Sequence, residues 1–97
     1  CYDSRSGRRL WTRKLTEFGG SPPEWGYAES VLIYRDLAIV TPGGSRCVVA
    51  LDKSTGRTVW TSSGFSAGAQ YGSCLAVRSG RITEIVAGTH GGLVAVD

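Results

Sequence analysis

The chain repeats itself, and this narrows its fold more than any other property of its 97 residues. Cys1-Tyr2-Asp3-Ser4-Arg5-Ser6-Gly7-Arg8-Arg9-Leu10-Trp11-Thr12 is answered, position by position, by Ala50-Leu51-Asp52-Lys53-Ser54-Thr55-Gly56-Arg57-Thr58-Val59-Trp60-Thr61. Ala95-Val96-Asp97 opens a third copy. Aspartate, hydroxyl, glycine, apolar residue and tryptophan return at the same offsets, and the aspartates stand 49 and then 45 positions apart. The stretches between also correspond: Trp25-Gly26-Tyr27-Ala28 with Gln70-Tyr71-Gly72-Ser73, Leu37–Val40 with Thr83–Val86, and the Gly43-Gly44 turn with Gly91-Gly92. Trp11 to Gly26 is 15 positions and Trp60 to Gly72 is 12, so most length variation falls in one connection, as loops permit.

A period near 45 residues with several short strands per unit is propeller spacing. Helical repeats of that period need long stretches of 3.6-residue periodicity, and none is present. The pattern predicts strands at about 8–14, 28–34, 37–41, 47–52, 57–62, 72–78, 82–88 and 92–96. Turn signals separate them at Arg35-Asp36, Pro42-Gly43-Gly44, Ser54-Thr55-Gly56, Ser79-Gly80 and Gly91-Gly92. Val31–Tyr34 and Leu37–Val40 are apolar at successive positions, which predicts burial on both faces. The expected fold is all-β: a β-propeller segment of about two four-stranded antiparallel blades of a larger ring. Residues 1–14 end one blade, 26–62 make a complete blade, and 71–97 make most of the next. A closed propeller uses about 4–8 blades, so two leave both end faces open. The expected partners are other blades of the same propeller or a second copy of the chain, with strand 8–14 able to pair with the blade ending at Asp97.

The repeated motif has a physical logic. Gly56 follows Ser54-Thr55 in a tight turn that favours positive φ. Asp52 can accept hydrogen bonds from the turn amides. Trp60 carries a large apolar surface with one N–H that wants a partner when buried. Ala50, one strand back, leaves room for close packing.

This constellation resembles the tryptophan-docking motif of the pyrroloquinoline-quinone (PQQ)-like, quinoprotein-type β-propeller family. That motif has alanine, aspartate, a Thr-Gly pair and tryptophan at positions one, three, six-seven and eleven. Ala50, Asp52, Thr55-Gly56 and Trp60 match throughout. Cys1, Asp3, Ser6-Gly7 and Trp11 match with cysteine for alanine and serine for threonine, and Ala95 and Asp97 begin again. The resemblance implies that each indole stacks on the glycine peptide of a neighbouring motif and pins blades together. It also implies two functional classes. Quinoprotein dehydrogenases of alcohols or sugars hold PQQ and calcium at the ring centre. Non-catalytic members, such as the bacterial propeller lipoprotein of the outer-membrane barrel-assembly machinery, offer the ring as a protein-binding platform. The dehydrogenases show vicinal cysteines and a Glu, Asn and Asp set on calcium, whereas this chain has no Cys-Cys pair and no asparagine. No catalytic, cofactor-binding or metal residue is therefore assigned in this segment, and PQQ and calcium enter only if the full ring is a quinoprotein. The reading is a scaffold or protein-interaction segment, periplasmic or extracytoplasmic by resemblance. The alternative is part of a dehydrogenase whose active site lies on other blades.

Other signals are weaker. Five of the eleven basic residues lie in the first fourteen positions, at Arg5, Arg8, Arg9, Arg13 and Lys14. No stacking aromatics of a known nucleic-acid module accompany them, so they read as a solvated outer strand and no nucleic-acid partner is expected. Cys1, Cys47 and Cys74 are widely spaced and odd in number, and with His90 as the one histidine they do not make a zinc site. They are expected to be buried or half-buried free thiols. No run approaches the roughly 20 apolar residues of a membrane span. No signal peptide is visible, and Cys1-Tyr2-Asp3 reads as the middle of a mature domain. Gly64-Phe65-Ser66-Ala67-Gly68 fits a nucleophile-elbow pattern, but loop and strand follow it instead of the required helix. Asp52–Gly56 opens like a calcium loop but lacks the twelfth-position glutamate, where Ser63 stands. Trp25 and Tyr27 follow Pro22-Pro23 in the longer loop. They are candidates for an exposed partner contact, the alternative being that Trp25 packs on its own blade.

Overall fold

A computed structural model describes all residues, 1–97, and places seven strands in two antiparallel sheets. The first sheet has the order β1 (Leu32–Tyr34), β2 (Leu37–Val40), β3 (Val49–Asp52), β4 (Thr58–Thr61). The second has β5 (Leu75–Ser79), β6 (Ile82–Thr89), β7 (Gly92–Val96). Each strand pairs with its neighbour in the chain, so each sheet is a meander, and the turns alternate between its two ends. The fold is all-β, as the repeat predicts.

The strand period of two sorts the side chains. Leu32, Ile39 and Ala50 share one face of the first sheet by cross-strand register, with Trp60 opposite Ala50. Ile33, Ala38 and Leu51 share the other, with Thr58 opposite Leu51. Trp60 and Thr58 have the same parity, so a plain strand would send both to one face. A register shift at Ala50/Leu51 separates them. This bulge turns Trp60 towards the second sheet and Thr58 away from it, with Val59 as the extra residue.

The two faces build two cores. Ile39, Val48 and Ala50 pack with Cys74, Ile85 and Ala87 in the seam between the sheets, and Trp60 and Tyr34 lie against that cluster. On the far side Ala38, Val40, Val49 and Leu51 pack with Phe18, and Trp11 and Leu15 cover part of them. β2 and β3 are therefore covered on both faces, which explains their unbroken apolar sequence.

Two expectations are corrected. Residues 8–14 do not form a strand. Their one bridge joins Tyr2 to Arg9, and the chain then leaves the ladder for a 3-10 turn at Leu15–Phe18, closed by Gly19 at φ 86°. A two-residue-wide ribbon with no third strand beside it is marginal, so the segment spends its apolar residues on the face of the first sheet instead. β7 is a sheet edge. Finally, β1 is not buried on both faces. It begins at Leu32 and not near residue 28, and Val31 and Ile33 stay exposed because the N-terminal segment covers only the β2–β3 side of the sheet.

Candidate functional site

The two complete copies of the motif fold into the same turn. Asp3 N–H donates to Arg8 O at 2.8 Å and Gly7 N–H to Asp3 O at 2.8 Å; Asp52 N–H donates to Arg57 O at 2.7 Å and Gly56 N–H to Asp52 O at 2.8 Å. In both, one carboxylate oxygen collects the turn's donors. Asp3 Oδ1 accepts from the amides of Arg5 and Ser6 and from Ser6 Oγ. Asp52 Oδ1 accepts from the amides and hydroxyls of Ser54 and Thr55. A short side chain bonding the backbone two and three residues on is the mechanism that makes aspartate a turn former. The recurring hydroxyl also supports the turn from within, since Ser6 Oγ and Thr55 Oγ1 each accept from the next arginine's amide at 3.3 Å.

This crowding of donors sets the acidity. The Ser54 hydroxyl first, then the amides of Thr55 and Ser54 and the Thr55 hydroxyl, hold the Asp52 carboxyl at about 2 against an ordinary 3.8. The Ser6 amide, aided by its hydroxyl and the Arg5 amide, lowers Asp3 in the same direction. The folded value lies below the unfolded one, so the turn's contribution is complete above 3.8 and is lost as pH falls towards about 2. In urea titrations the midpoint should decline across that window, and Asp52→Asn should flatten the decline. An unchanged acid limb in the variant would remove Asp52 from this role.

Between the copies, Trp11 reaches across to the second turn. Gly56 adopts φ 75°, and a Cβ placed on it would meet Trp11 Cε3 at 2.5 Å and Cδ2 at 2.7 Å. The indole thus lies flat on a glycine peptide that no other residue can present. Its Nε1–H donates to Lys53 O at 3.0 Å. Arg13 Nη1 donates to Gly56 O at 2.8 Å, its Nε pairs with Glu17 at 3.2 Å, and its guanidinium sits 5.0 Å from the Phe18 ring centre. Sequence reasoning missed Arg13 and Lys53. The repeat is blind to both: the counterpart of Arg13 is Ser62, which accepts from Val48 N–H, and Lys53 contributes only its carbonyl to the indole.

The remaining motif residues are less engaged. Trp60 is half-buried against the seam cluster, Ala95 pairs with Val86 at the edge of the second sheet, and Cys1 and Asp97 are exposed. Trp25 and Tyr27 part company. Trp25 is 80% exposed and its amide bonds the Tyr71 hydroxyl, while Tyr27 is half-buried and donates to Pro42 O at 2.9 Å. Nearby, Glu29 clamps Thr41 through its amide and hydroxyl, a contact no motif announces. His90 is a turn residue whose Nδ1 meets Gln70 Nε2, and Ser66 lies in irregular chain with no helix after it.

All three cysteines are free, and Cys47 and Cys74 are buried as expected, but Cys1 is exposed because no neighbouring strand covers the start of the N-terminal hairpin. Burial pushes the Cys74 thiol up to about 12 and raises Cys47 as well. Thiolate is the reactive form. Iodoacetamide at mildly alkaline pH should therefore mark exposed Cys1 in the folded protein and reach Cys47 and Cys74 only after urea. Labelling of Cys74 without urea, read by mass spectrometry, would contradict the burial.

A groove of about 410 Å³ opens beside the docked indole, lined by Trp11, Leu15, Val31, Ile33, Val40 and Leu51 among others. It lies between the N-terminal segment and the part of the sheet face that this segment leaves uncovered. No three His, Cys, Asp or Glu side chains gather anywhere in a way that would hold a metal ion. Both motif aspartates are committed to their own turns.

A repeated Asp-hydroxyl-Gly turn, an indole docked on the next copy's glycine, and meander sheets stacked face to face define a PQQ-like propeller segment. Over residues 1–97 the chain matches the family model described as outer membrane protein assembly factor BamB, and it belongs to that family of PQQ-like repeats. No curated protein and no solved structure matches it. Membership implies other blades beside these two. No helix is long and apolar enough to cross a membrane.

Proposed function

We propose that this chain is a non-catalytic scaffold within an extracytoplasmic propeller and serves as a protein-interaction platform. The observation that carries this reading is the commitment of the motif's chemistry to architecture. The Asp3 and Asp52 carboxylates, the Trp11 N–H and the Gly56 carbonyl, the groups able to hold a ligand or a metal, are spent on turns and on docking. The loops at the sheet ends face outward, where Trp25 stands free as a large amphipathic contact, as does the open face of the second sheet with Leu75, Val77 and Leu93. The family's description as an assembly factor of the outer membrane supports both the platform role and an envelope location.

The test has two arms on the protein that carries this chain. A photo-reactive residue at Trp25 should crosslink a discrete protein in living cells. Supplied with PQQ and calcium, the same protein should reduce no dye with alcohols or sugars. Dye reduction would make the segment part of a quinoprotein dehydrogenase and overturn the reading.

A further inference from the structure

The segment has two chemically different ends. Antiparallel order puts the β1–β2 turn (Arg35-Asp36) and the β3–β4 turn (Lys53–Arg57) at one end of the first sheet. Lys53 ties them together: its amide bonds Asp36 O at 2.9 Å and its Nζ bonds Arg35 O at 2.8 Å. The Tyr34 hydroxyl meets Thr83 Oγ1 at 3.3 Å, so the Gly80-Arg81 turn of the second sheet lies at the same end. The Asp3–Arg8 turn belongs to this end by the repeat, and Trp11 just beyond it sits on Gly56. These turns bring six exposed guanidiniums together: Arg5, Arg8, Arg35, Arg57, Arg78 and Arg81.

The acidic residues at this end balance them only in part. The Asp3 and Asp52 carboxylates face their own turns, Asp36 pairs with Lys53 at 3.2 Å, and Glu84 and Asp97 lie side by side where β6 begins and β7 ends. The opposite end, made of the 19–31, 41–48, 62–74 and 89–92 connections, carries only Arg46 as a full cation beside Glu24 and Glu29. Around the seam the arginines are held in place. The Arg35 guanidinium lies 5.4 Å from the Tyr34 ring centre, on a backbone at the unusual φ of 55°. Arg78 Nε donates to Gly80 O at 3.2 Å. The Thr83 hydroxyl, with the charges of Arg35 and Arg78 behind it, draws the pKa of Tyr34 below that of an ordinary phenol.

We propose that this turn-bearing end is a docking face for an acidic protein segment, rich in aspartate and glutamate. The proposal rests on the platform reading and names the chemistry of its partner. Guanidiniums are planar forks matched to carboxylates. They are spread over successive turns, as an extended acidic strand would require. Nucleic acid would want several exposed flat aromatics among the cations, yet Tyr34 is half-buried and bonded to Thr83, which leaves Tyr2 beside Arg9 as a lone exposed ring. A lipid surface would want large apolar side chains at the turn tips, and these tips are serine, threonine, glycine and charged residues.

The test is fluorescence anisotropy of a labelled Glu/Asp-rich peptide on the full protein. The triple variant Arg35→Glu/Arg78→Glu/Arg81→Glu should weaken binding by about tenfold or more, since each exposed pair contributes modestly. The glutamine triple should lose less, and Arg46→Glu at the other end should change nothing. Added salt should weaken binding to the wild type. Equal affinity for the wild type and the glutamate triple would overturn the proposal, as would tighter binding of an oligo-dT strand or of phosphatidylglycerol vesicles than of the peptide. Failure here with a retained crosslink at Trp25 would leave the platform reading standing and move its contact to the opposite end.

Discussion

Gly56→Val should destabilise the protein by about 2–5 kcal/mol. Two costs add. A β-branched residue at φ 75° carries the left-handed penalty, about 1–2 kcal/mol. The new Cβ also enters the Trp11 ring at 2.5 Å, and overpacking of this kind costs about 1–3 kcal/mol. The ring cannot slide away cheaply, because its Nε1–H is anchored on Lys53 O. Gly7→Val separates the terms. Gly7 has φ 70° in the same turn, but a Cβ there meets nothing within 4 Å. It should cost only the backbone share, about 1–2 kcal/mol. In the Trp11→Ala background the penalty at Gly56 should shrink towards the Gly7 value, a coupling that a double-mutant cycle reads directly. Equal urea midpoints for Gly56→Val and Gly7→Val would mean that the indole is not seated where the geometry puts it.

Ile39→Ala should cost a similar amount, about 2–5 kcal/mol, for a different reason. Ile39 has no exposed surface and lies in register between Leu32 and Ala50, packed into the same cluster as Ile85 and Ala87 of the second sheet. Truncation there leaves a void in the seam between two sheets that no backbone hydrogen bond joins across their faces. The loss should therefore also appear as faster amide exchange in β6, the central strand of the three-stranded sheet. Val59→Ala is the control: Val59 is 55% exposed at the bulge and should stay within about 0.5 kcal/mol. If β6 exchanges no faster in Ile39→Ala, the two sheets are not energetically coupled through this seam.

Much of this was legible in the residues. Asp52, Thr55 and Gly56 marked a turn because the motif is local: four or five residues close their own hydrogen bonds, and each chemical type has one part in doing so. The same locality made the Asp3 turn a faithful copy. The apolar run Leu37–Val40 correctly forecast a strand covered on both faces. Val31 and Ile33 did not follow, since burial of a strand depends on what arrives from elsewhere in the chain, and nothing arrives over them.

Two features lay beyond pattern reading. Residues 8–14 carry the composition of an outer strand, but a strand exists only where a neighbour offers its backbone, and here only Cys1 and Asp3 do, to Arg8, Leu10 and Trp11. The bulge at Ala50/Leu51 decides which face Trp60 serves, although no residue in Arg57–Thr61 distinguishes a bulged strand from a plain one. The cationic end of the segment is similar. Arg5, Arg8, Arg35, Arg57, Arg78 and Arg81 are scattered over 77 positions, and only the meander gathers them.

By itself, then, the order of residues determined the repeat, the turn chemistry and the all-β class, because these depend on contacts within a few residues or on periodicity along the chain. Tertiary structure alone decided which tryptophan meets which glycine, which apolar side chains are covered, and where the uncompensated charge accumulates. Those outcomes depend on long-range pairing, where the free energy belongs to two distant segments jointly and is written in neither one alone.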